Sequence, residues 1–142
     1  MNVNIKLLNE HANLPRKASE YAAGYDVYAS KNTIINPFER KLVPLGFAIE
    51  TELNDIYFRI APRSGLAVKG IDVAAGVCDV DYRGEYHVLL VNNTPNIFHV
   101  TMGDRIAQLI PEKIQPVVFQ KINDFKLPST ERNNGGFGST GV

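Results

Sequence analysis

The sequence predicts an all-β fold, a jelly-roll-like β-barrel or sandwich with minimal helix. Apolar side chains alternate at positions 3, 5 and 7 and again at 56, 58 and 60, which is the period of two expected for half-buried strands. Turn signals such as Asn36-Pro37 and Gly103-Asp104 separate the apolar runs. Regular short strands with punctuating turns are typical of sandwiches and barrels.

The individual elements follow from β-branched and aromatic enrichment along the chain. One turn or two of helix is expected over residues 64–69, with Ser64 able to cap it. Besides the two alternating runs, strands are expected at residues 25–29, 33–35, 41–49, 86–91, 97–100, 105–110 and 117–119.

The length of 142 residues suits one domain with a single core. No repeat or internal linker divides the chain before Leu127-Pro128-Ser129, after which glycine becomes frequent. We therefore expect a β-jelly-roll domain over residues 1–127 and a flexible C-terminal arm over residues 128–142.

Composition excludes several classes of function. Lys+Arg and Asp+Glu are balanced at 15 each, so no overall field attracts nucleic acid or an anionic membrane. Cys78 is the single cysteine, and the three histidines are scattered, which argues against a disulfide framework and a zinc site. Without a signal peptide or an apolar run of about 20 residues, we expect a soluble, intracellular protein, nuclear or cytoplasmic.

The glycine-rich tail has the chemistry of a nucleotide clamp. Arg132 can bind phosphate with two parallel hydrogen bonds, Phe137 offers a stacking face, and Ser139 and Thr140 can donate to phosphate oxygens. Glycines such as Gly138 allow the backbone to approach an anion. A disordered terminus is the alternative, whereas a P-loop is excluded because no Gly-Lys-Ser/Thr follows.

The densest group of ionisable residues lies between Gly76 and Gly84. In an extended segment Asp79 and Asp81 point to the same face, so a cation, Arg83 or turn hydrogen bonds must relieve their repulsion. A carboxylate held in this way can polarise a water molecule. The alternative is a solvated turn with an Asp-Arg ion pair.

Three further segments carry candidate residues. Arg63-Ser64-Gly65 follows a strand and could bind an anion, although a capped turn with a surface arginine explains it equally well. Asp26 enters a strand, where it could hold Mg²⁺ through water or satisfy backbone donors. Gln108 is polar among apolar neighbours, in a segment that otherwise predicts a hairpin turn with an Asp104-Arg105 pair and a core strand.

Taken together and in order, these segments resemble the five motifs of the trimeric dUTP diphosphatase (dUTPase) family. The resemblance spans nearly the whole chain, and the ordered set is far more specific than any one member. The motifs are Ala-Gly-Tyr-Asp at 23–26, Pro-Arg-Ser-Gly-Leu at 62–66, Gly-Val-Cys-Asp-Val-Asp-Tyr-Arg-Gly at 76–84, Gly-Asp-Arg-Ile-Ala-Gln-Leu at 103–109, and the tail at 132–141.

The resemblance implies a jelly-roll homotrimer that hydrolyses dUTP to dUMP and pyrophosphate with Mg²⁺, each active site being shared between subunits. Asp79 matches the carboxylate that activates the attacking water and contacts the 3′-hydroxyl. Tyr82 matches the ring under the deoxyribose that excludes a 2′-hydroxyl. Asp26 matches the residue that holds the metal through water.

The remaining site residues are also implied by the resemblance. Arg63 and Gln108 match residues at the phosphates, while the tail would close over the site with Arg132 on the γ-phosphate and Phe137 over uracil. The other substrate-binding positions are Ser64, Gly65, Gly76, Val77, His87, Gly138, Ser139 and Thr140.

Three positions depart from the family pattern, and two other functions compete. Asn133 replaces a glycine, Cys78 an aliphatic residue, and Glu85 a position that is often neutral, where its charge could weaken binding of a polyanion. A dCTP deaminase-like enzyme shares the fold, but lacks the Asp79 to Tyr82 pattern. A non-catalytic jelly-roll binding module would make the five motifs coincidental loops.

Overall fold

The computed structural model of the chain describes residues 1–139 and Gly141, and their secondary structure is almost entirely β. Eleven strands and one short helix are found. They are β1 (Asn4–Leu7), β2 (Tyr25–Tyr28), β3 (Thr33–Ile35), β4 (Arg40–Pro44), β5 (Phe47–Glu50), β6 (Ile56–Ala61), α1 (Ser64–Ala67), β7 (Ile71–Ala74), β8 (Val77–Cys78), β9 (His87–Asn92), β10 (Phe98–Val100) and β11 (Arg105–Lys113).

All strand pairs are antiparallel and fall into four small sheets. The largest has the order β2-β11-β6-β8, and a second has the order β4-β9-β7. The other two are the pairs β1-β5 and β10-β3. Neighbours in these sheets are distant in sequence, as in a jelly roll, so the all-β prediction is confirmed.

One apolar core joins the sheets. Along β9 buried and partly exposed side chains alternate strictly, with Val88 and Leu90 inside. The same core contains Phe47 of β5, Phe58 of β6 and Val27 of β2. No helix in the described part of the chain is long and apolar enough to cross a membrane.

Several expected elements differ from the structure. The run at 41–49 is two strands, because Gly46 has φ +75° and a Cβ there would lie 2.8 Å from Ala12. Residues 117–119 form no strand and are exposed, since no strand of the described chain pairs with them. Ser64 is not the helix cap: it is the first helical residue, and Arg63 precedes it without a side-chain capping bond.

A β-bulge in β11 positions the side chains that matter for the site. Arg105 pairs with Tyr28 and Ala107 with Val27, so Ile106 is an extra residue in the ladder. Ile106 and Ala107 are consequently both buried. Bulges re-aim the side chains that follow them, and here the shift places Gln108 opposite Asp26.

Candidate active site

A pocket of about 310 Å³ lies against β8 and the loop between β8 and β9, which we call the nucleoside pocket. This volume lies at the lower end of the range for small-molecule sites. The pocket is lined by Leu42, Val77, Cys78, Asp79, Tyr82, Glu85, Tyr86 and His87. Four candidate residues therefore line one cavity: Val77, Asp79 and Tyr82 of the third motif, and His87 just after it. Leu42 and Tyr86 are lining residues that sequence reasoning missed.

The backbone enters β8 through two consecutive residues with positive φ, Ala75 at 56° and Gly76 at 103°. Glycine is required at position 76, because a Cβ there would lie 2.4 Å from the carbonyl oxygen of Ile60. The Gly76 carbonyl accepts a 2.8 Å hydrogen bond from the Ile60 amide. The approach of these two backbones fixes where the pocket begins.

The acidic segment forms a turn rather than an extended strand, and a turn is one of the alternatives that the sequence leaves open. The Tyr82 amide donates to the Asp79 carbonyl at 3.0 Å, and Asp79 and Asp81 are both exposed. Arg83 donates to the carbonyl oxygens of Val80, at 2.7 Å, and Tyr82, at 3.3 Å. Among the described residues Arg83 forms no ion pair with either aspartate, because its guanidinium bonds the turn's own carbonyls.

The Tyr82 side chain is held across the mouth of this turn. Its hydroxyl donates to the Glu85 carbonyl at 3.0 Å. Gly84 leaves space for this hydroxyl, since a Cβ at position 84 would lie 2.4 Å from the Tyr82 hydroxyl oxygen. His87 Nδ1 lies 3.0 Å from the same carbonyl. A carbonyl oxygen only accepts, so His87 donates through Nδ1. One backbone oxygen thus orients two pocket side chains.

Glu85, the charged departure from the family pattern, is tied down. Its Oε1 accepts a 3.2 Å hydrogen bond from the Gly46 amide, and its Oε2 lies 3.8 Å from His87 Nε2. The carboxylate therefore links the β8–β9 loop to the turn between β4 and β5. Its charge is partly compensated by a backbone donor.

Burial also sets the ionisation of the pocket wall. Desolvation, with a smaller contribution from the negative charge of Asp79, raises the pKa of Cys78 to about 11. Desolvation is likewise the main cause of the raised pKa of Tyr86. Both groups are neutral at neutral pH, so Cys78 behaves as the small apolar residue that its position suggested.

A second group of residues, which we call the phosphate cluster, consists of Asp26, Arg63, Arg105 and Gln108. The carboxylate of Asp26 is 14% exposed, and its Oδ1 lies 3.5 Å from Arg63 Nε. Its Oδ2 lies 3.4 Å from a terminal guanidinium nitrogen of Arg105. Arg63 also donates to the Arg105 carbonyl at 3.0 Å. Two cations therefore converge on one carboxylate.

Arg105 is the residue of this cluster that sequence reasoning missed. The sequence suggested a local pair between Asp104 and Arg105, but Asp104 instead accepts from the Thr101 amide at 2.8 Å. Arg105 and Asp26 are 79 residues apart and meet only because β11 pairs with β2. No local signal could have identified this contact.

Gln108 is positioned by hydrogen bonding and close packing. Its side-chain nitrogen donates to the Pro62 carbonyl at 2.9 Å, next to Arg63. A Cβ at Gly24 would lie 2.4 Å from Gln108 Oε1, so the glycine of the first motif makes room for the glutamine of the fourth. At the start of α1, nothing lies within 4 Å of the Cβ position of Gly65, which leaves that backbone accessible.

The nucleoside pocket and the phosphate cluster lie apart in the chain's own fold. Cys78 pairs with Phe58 on β6, whereas Gln108 pairs with Ala61, about 10 Å further along that strand. β8 and β11 also flank β6 on opposite sides, which adds about 10 Å across the sheet. The chain direction after Cys78 carries Asp79 further from Ala61.

The described part of the arm, residues 128–139 and Gly141, forms no hydrogen bond to either region. All hydrogen bonds described within it are internal, such as that from Arg132 Nε to the Gly135 carbonyl at 3.1 Å. Phe137 is fully exposed. Asn133, Phe137 and Gly138 have positive φ. Asn133, which replaces the glycine of the family pattern, therefore adopts the left-handed backbone conformation that glycine favours. Thr140 lies outside the described residues.

A metal ion would find few ligands within one chain. Over residues 1–139 and Gly141, no group of three or more His, Cys, Asp or Glu side chains is arranged to hold one. Asp26 offers hard oxygen donors of the kind Mg²⁺ prefers. Its contacts to Arg63 and Arg105 are long enough to be exchanged. Among the residues around this carboxylate, Asp26 is therefore the one that could hold a metal ion.

Comparison with known proteins identifies the family of the chain. Deoxyuridine 5'-triphosphate nucleotidohydrolases from Yarrowia lipolytica and Solanum lycopersicum are 48% and 49% identical to this chain, over 100% and 97% of it and 90% and 80% of their own lengths. The Staphylococcus bacteriophage 80alpha dUTPase, solved with dUpNHpp, has a TM-score of 0.91 at 22% identity and covers 99% of each chain. The dUTPase family model matches residues 10–141. The chain therefore belongs to the dUTPase family.

Proposed function

We propose that this protein is a dUTP diphosphatase, which hydrolyses dUTP to dUMP and pyrophosphate. The observation that carries the proposal is the nucleoside pocket, in which Asp79, Tyr82 and His87 line one cavity of about 310 Å³. Family membership and relatives named deoxyuridine 5'-triphosphate nucleotidohydrolase support it.

In this pocket Tyr82 lies under the deoxyribose and leaves no space for a 2′-hydroxyl. Uracil is bound through the backbone of Gly76 and Val77 and through His87. The backbone provides a fixed edge, because the Gly76 carbonyl accepts a hydrogen bond from the Ile60 amide and the two backbones approach closely. The position of the hairpin backbone, more than any one side chain, selects the base.

Hydrolysis begins with Asp79, which accepts a proton from a water molecule as its oxygen attacks the α-phosphorus. The new bond joins that oxygen to phosphorus, and the bond from phosphorus to the bridging oxygen of the β-phosphate breaks. Pyrophosphate leaves with the electron pair of the broken bond. Charge on the phosphates is offset by Arg63 and by hydrogen bonds from Gln108 and the amides of Ser64 and Gly65.

A divalent cation, Mg²⁺, fits the phosphate cluster through water molecules on Asp26. When bound, it supplies charge neutralisation along the triphosphate. A dUTPase from phage phi11 of S. aureus, with a TM-score of 0.82 at 19% identity, is described with a structural Mg(II) ion. In this chain, Asp26 would become available as Arg63 and Arg105 turn from it towards phosphate oxygens.

We propose a homotrimer in which each active site is shared. The separation of Asp79 from Gln108 along and across β6 supports this, because one chain does not bring its own pocket and phosphate cluster together. Residues 1–127 form the catalytic jelly roll, and residues 128–142 form an arm that closes over a site. In the closed arm Arg132 binds the γ-phosphate, Phe137 covers uracil, and Gly138, Ser139 and Thr140 bind phosphate.

A substrate panel tests the function. We expect pyrophosphate release from dUTP with Mg²⁺, and little or none from UTP, dTTP, dCTP or dUDP. Ammonia release from dCTP would instead indicate a deaminase. Binding of dUTP without turnover would indicate a binding module, and either result would overturn the proposal.

A further inference from the structure

The ring of Tyr82 requires support from within the protein. It is 46% exposed and lies in a loop, so one face is open to the pocket. The hydrogen bond from its hydroxyl to the Glu85 carbonyl fixes one end of the side chain. A single bond at the hydroxyl leaves the ring plane free to rotate, so another contact must fix that plane.

Tyr86 provides this contact. Its ring centroid lies 5.7 Å from that of Tyr82, with the planes inclined at 42°. On its other side, the ring centroid of Tyr86 lies 5.5 Å from that of the buried Phe47, with the planes inclined at 31°. Tilted rings at these distances attract each other beyond simple burial. Phe47, Tyr86 and Tyr82 thus form an aromatic row that runs from the core to the pocket.

Tyr86 is itself immobilised, which makes it a suitable support. It is 1% exposed, its amide donates to the Phe47 carbonyl at 2.9 Å, and its carbonyl accepts from the Leu45 amide at 2.9 Å. The preceding Glu85 side chain accepts from the Gly46 amide at 3.2 Å. Both the backbone and the ring of Tyr86 are therefore held in place, the backbone by hydrogen bonds to Phe47 and Leu45 and the ring by burial.

We propose that Tyr86 is a positioning residue that fixes the plane of Tyr82 and thereby sets discrimination against ribonucleotides. The inference rests on the proposed function and adds a residue to which that proposal gave no role. Tyr86 lines the nucleoside pocket without needing to touch the sugar, because its effect passes through the Tyr82 ring.

The physical reason is that an apolar surface rejects an added hydroxyl only weakly unless it is rigid. A pocket that can adapt accepts a substrate carrying one extra oxygen at modest cost. Steric exclusion of a 2′-hydroxyl depends on a ring that cannot retreat by about the width of an oxygen atom, and close-packed interiors resist such displacement. The aromatic row connects Tyr82 to that interior.

The test compares kcat/KM for dUTP with kcat/KM for UTP. We expect Tyr86→Leu to lower the ratio of the two by about threefold to tenfold, the factor that corresponds to loss of one aromatic pair. Tyr86→Phe retains the ring and should restore the ratio to within about twofold of the original protein. Val100→Ala, which opens the core at a buried residue that does not line the pocket, controls for general loosening and should leave the ratio unchanged.

An unchanged ratio in folded Tyr86→Leu, or an equal loss in Val100→Ala, would overturn the inference while dUTP hydrolysis by the original protein still stands. Should Tyr86→Leu fail to fold, NMR of the original protein decides. Ring protons of Tyr82 and Tyr86 should then show a nuclear Overhauser effect. The absence of this effect would show that Tyr86 does not pack against the Tyr82 ring, and would overturn the inference. Failure of the original protein to hydrolyse dUTP would be a failure of the proposed function.

Discussion

The nucleoside pocket and the phosphate cluster are built differently, although we propose that both bind parts of one substrate. The pocket is fixed by backbone approach and aromatic packing, as at Gly76 and Tyr86. In the phosphate cluster, Asp26 is held by arginine contacts of 3.4 and 3.5 Å, which are longer than strong charge-assisted bonds. The pocket is therefore preformed within one chain, whereas the ion pairs of the phosphate cluster can rearrange, as we propose they do when a triphosphate binds.

The largest effect is expected in the pocket. Asp79→Asn removes the general base and should lower kcat by about 10³-fold. Because Asp79 is exposed, the free energy of unfolding should change by less than about 0.5 kcal/mol. Steady-state pyrophosphate release and thermal melting measure the two quantities. Asp81→Asn, in the same turn but outside the pocket lining, is the matched control and should retain turnover. A larger loss of kcat in Asp81→Asn than in Asp79→Asn would contradict the assignment of Asp79 as the general base.

Removal of the arm tests whether either region suffices without it. A chain that ends at Leu127 should lose about 10²-fold or more in kcat/KM, because Arg132 and the closing loop no longer stabilise the phosphates. Sedimentation should still show a trimer. Lys126→Gln, at an exposed cation just before the arm, is the control. Full turnover of the shortened chain would show that the arm has no part in hydrolysis.

Alkylation of Cys78 reports on the pocket alone. A thiol with a raised pKa stays protonated below that pKa, so less thiolate is present at a given pH. With the pKa raised to about 11, iodoacetamide at pH 8 should react about 10²-fold more slowly than with a free thiol. The rate should rise until about pH 11, and bound dUMP should suppress it. A fast reaction at pH 8 would contradict the raised pKa of Cys78 and its burial in the pocket wall.

The smallest effect is expected in the phosphate cluster. Arg105→Gln removes one of two cations from Asp26 and should lower kcat/KM for dUTP by about tenfold. Its effect should spare deoxyuridine binding, which isothermal calorimetry can follow, because the pocket is separate. Arg59→Gln, which breaks an exposed pair with Glu112 on the same sheet, should change neither quantity. Weaker deoxyuridine binding in Arg105→Gln would contradict the separation of the nucleoside pocket from the phosphate cluster.

The sequence predicted the fold well where alternation was backed by a pairing partner. β6 and β9 follow the apolar period directly. The strands β7 and β8 were missed because runs of four and two residues are too short for alternation to be distinguished from chance. The run at 117–119 has strand composition but no pairing partner in the described chain, and composition alone does not provide the hydrogen bonds of a ladder.

The sequence predicted individual candidate residues for the site but not how they are divided between two regions of the fold, and their roles stay predictions. Motif resemblance identified Asp79 and Gln108, yet their separation follows from the register of β8 and β11 on β6. The contact of Arg105 with Asp26 depends on a bulge and a pairing across the chain. Such contacts arise from tertiary packing, which local patterns do not encode.

The most direct test of the shared active site mixes two inactive variants. In co-refolded trimers of Asp79→Asn and Gln108→Ala chains, every mixed trimer should contain one site with both an intact pocket and an intact phosphate cluster. Random assembly should then restore about a quarter of the original turnover. Turnover no higher than that of the separate variants would show that each chain completes its own site, and would contradict the account.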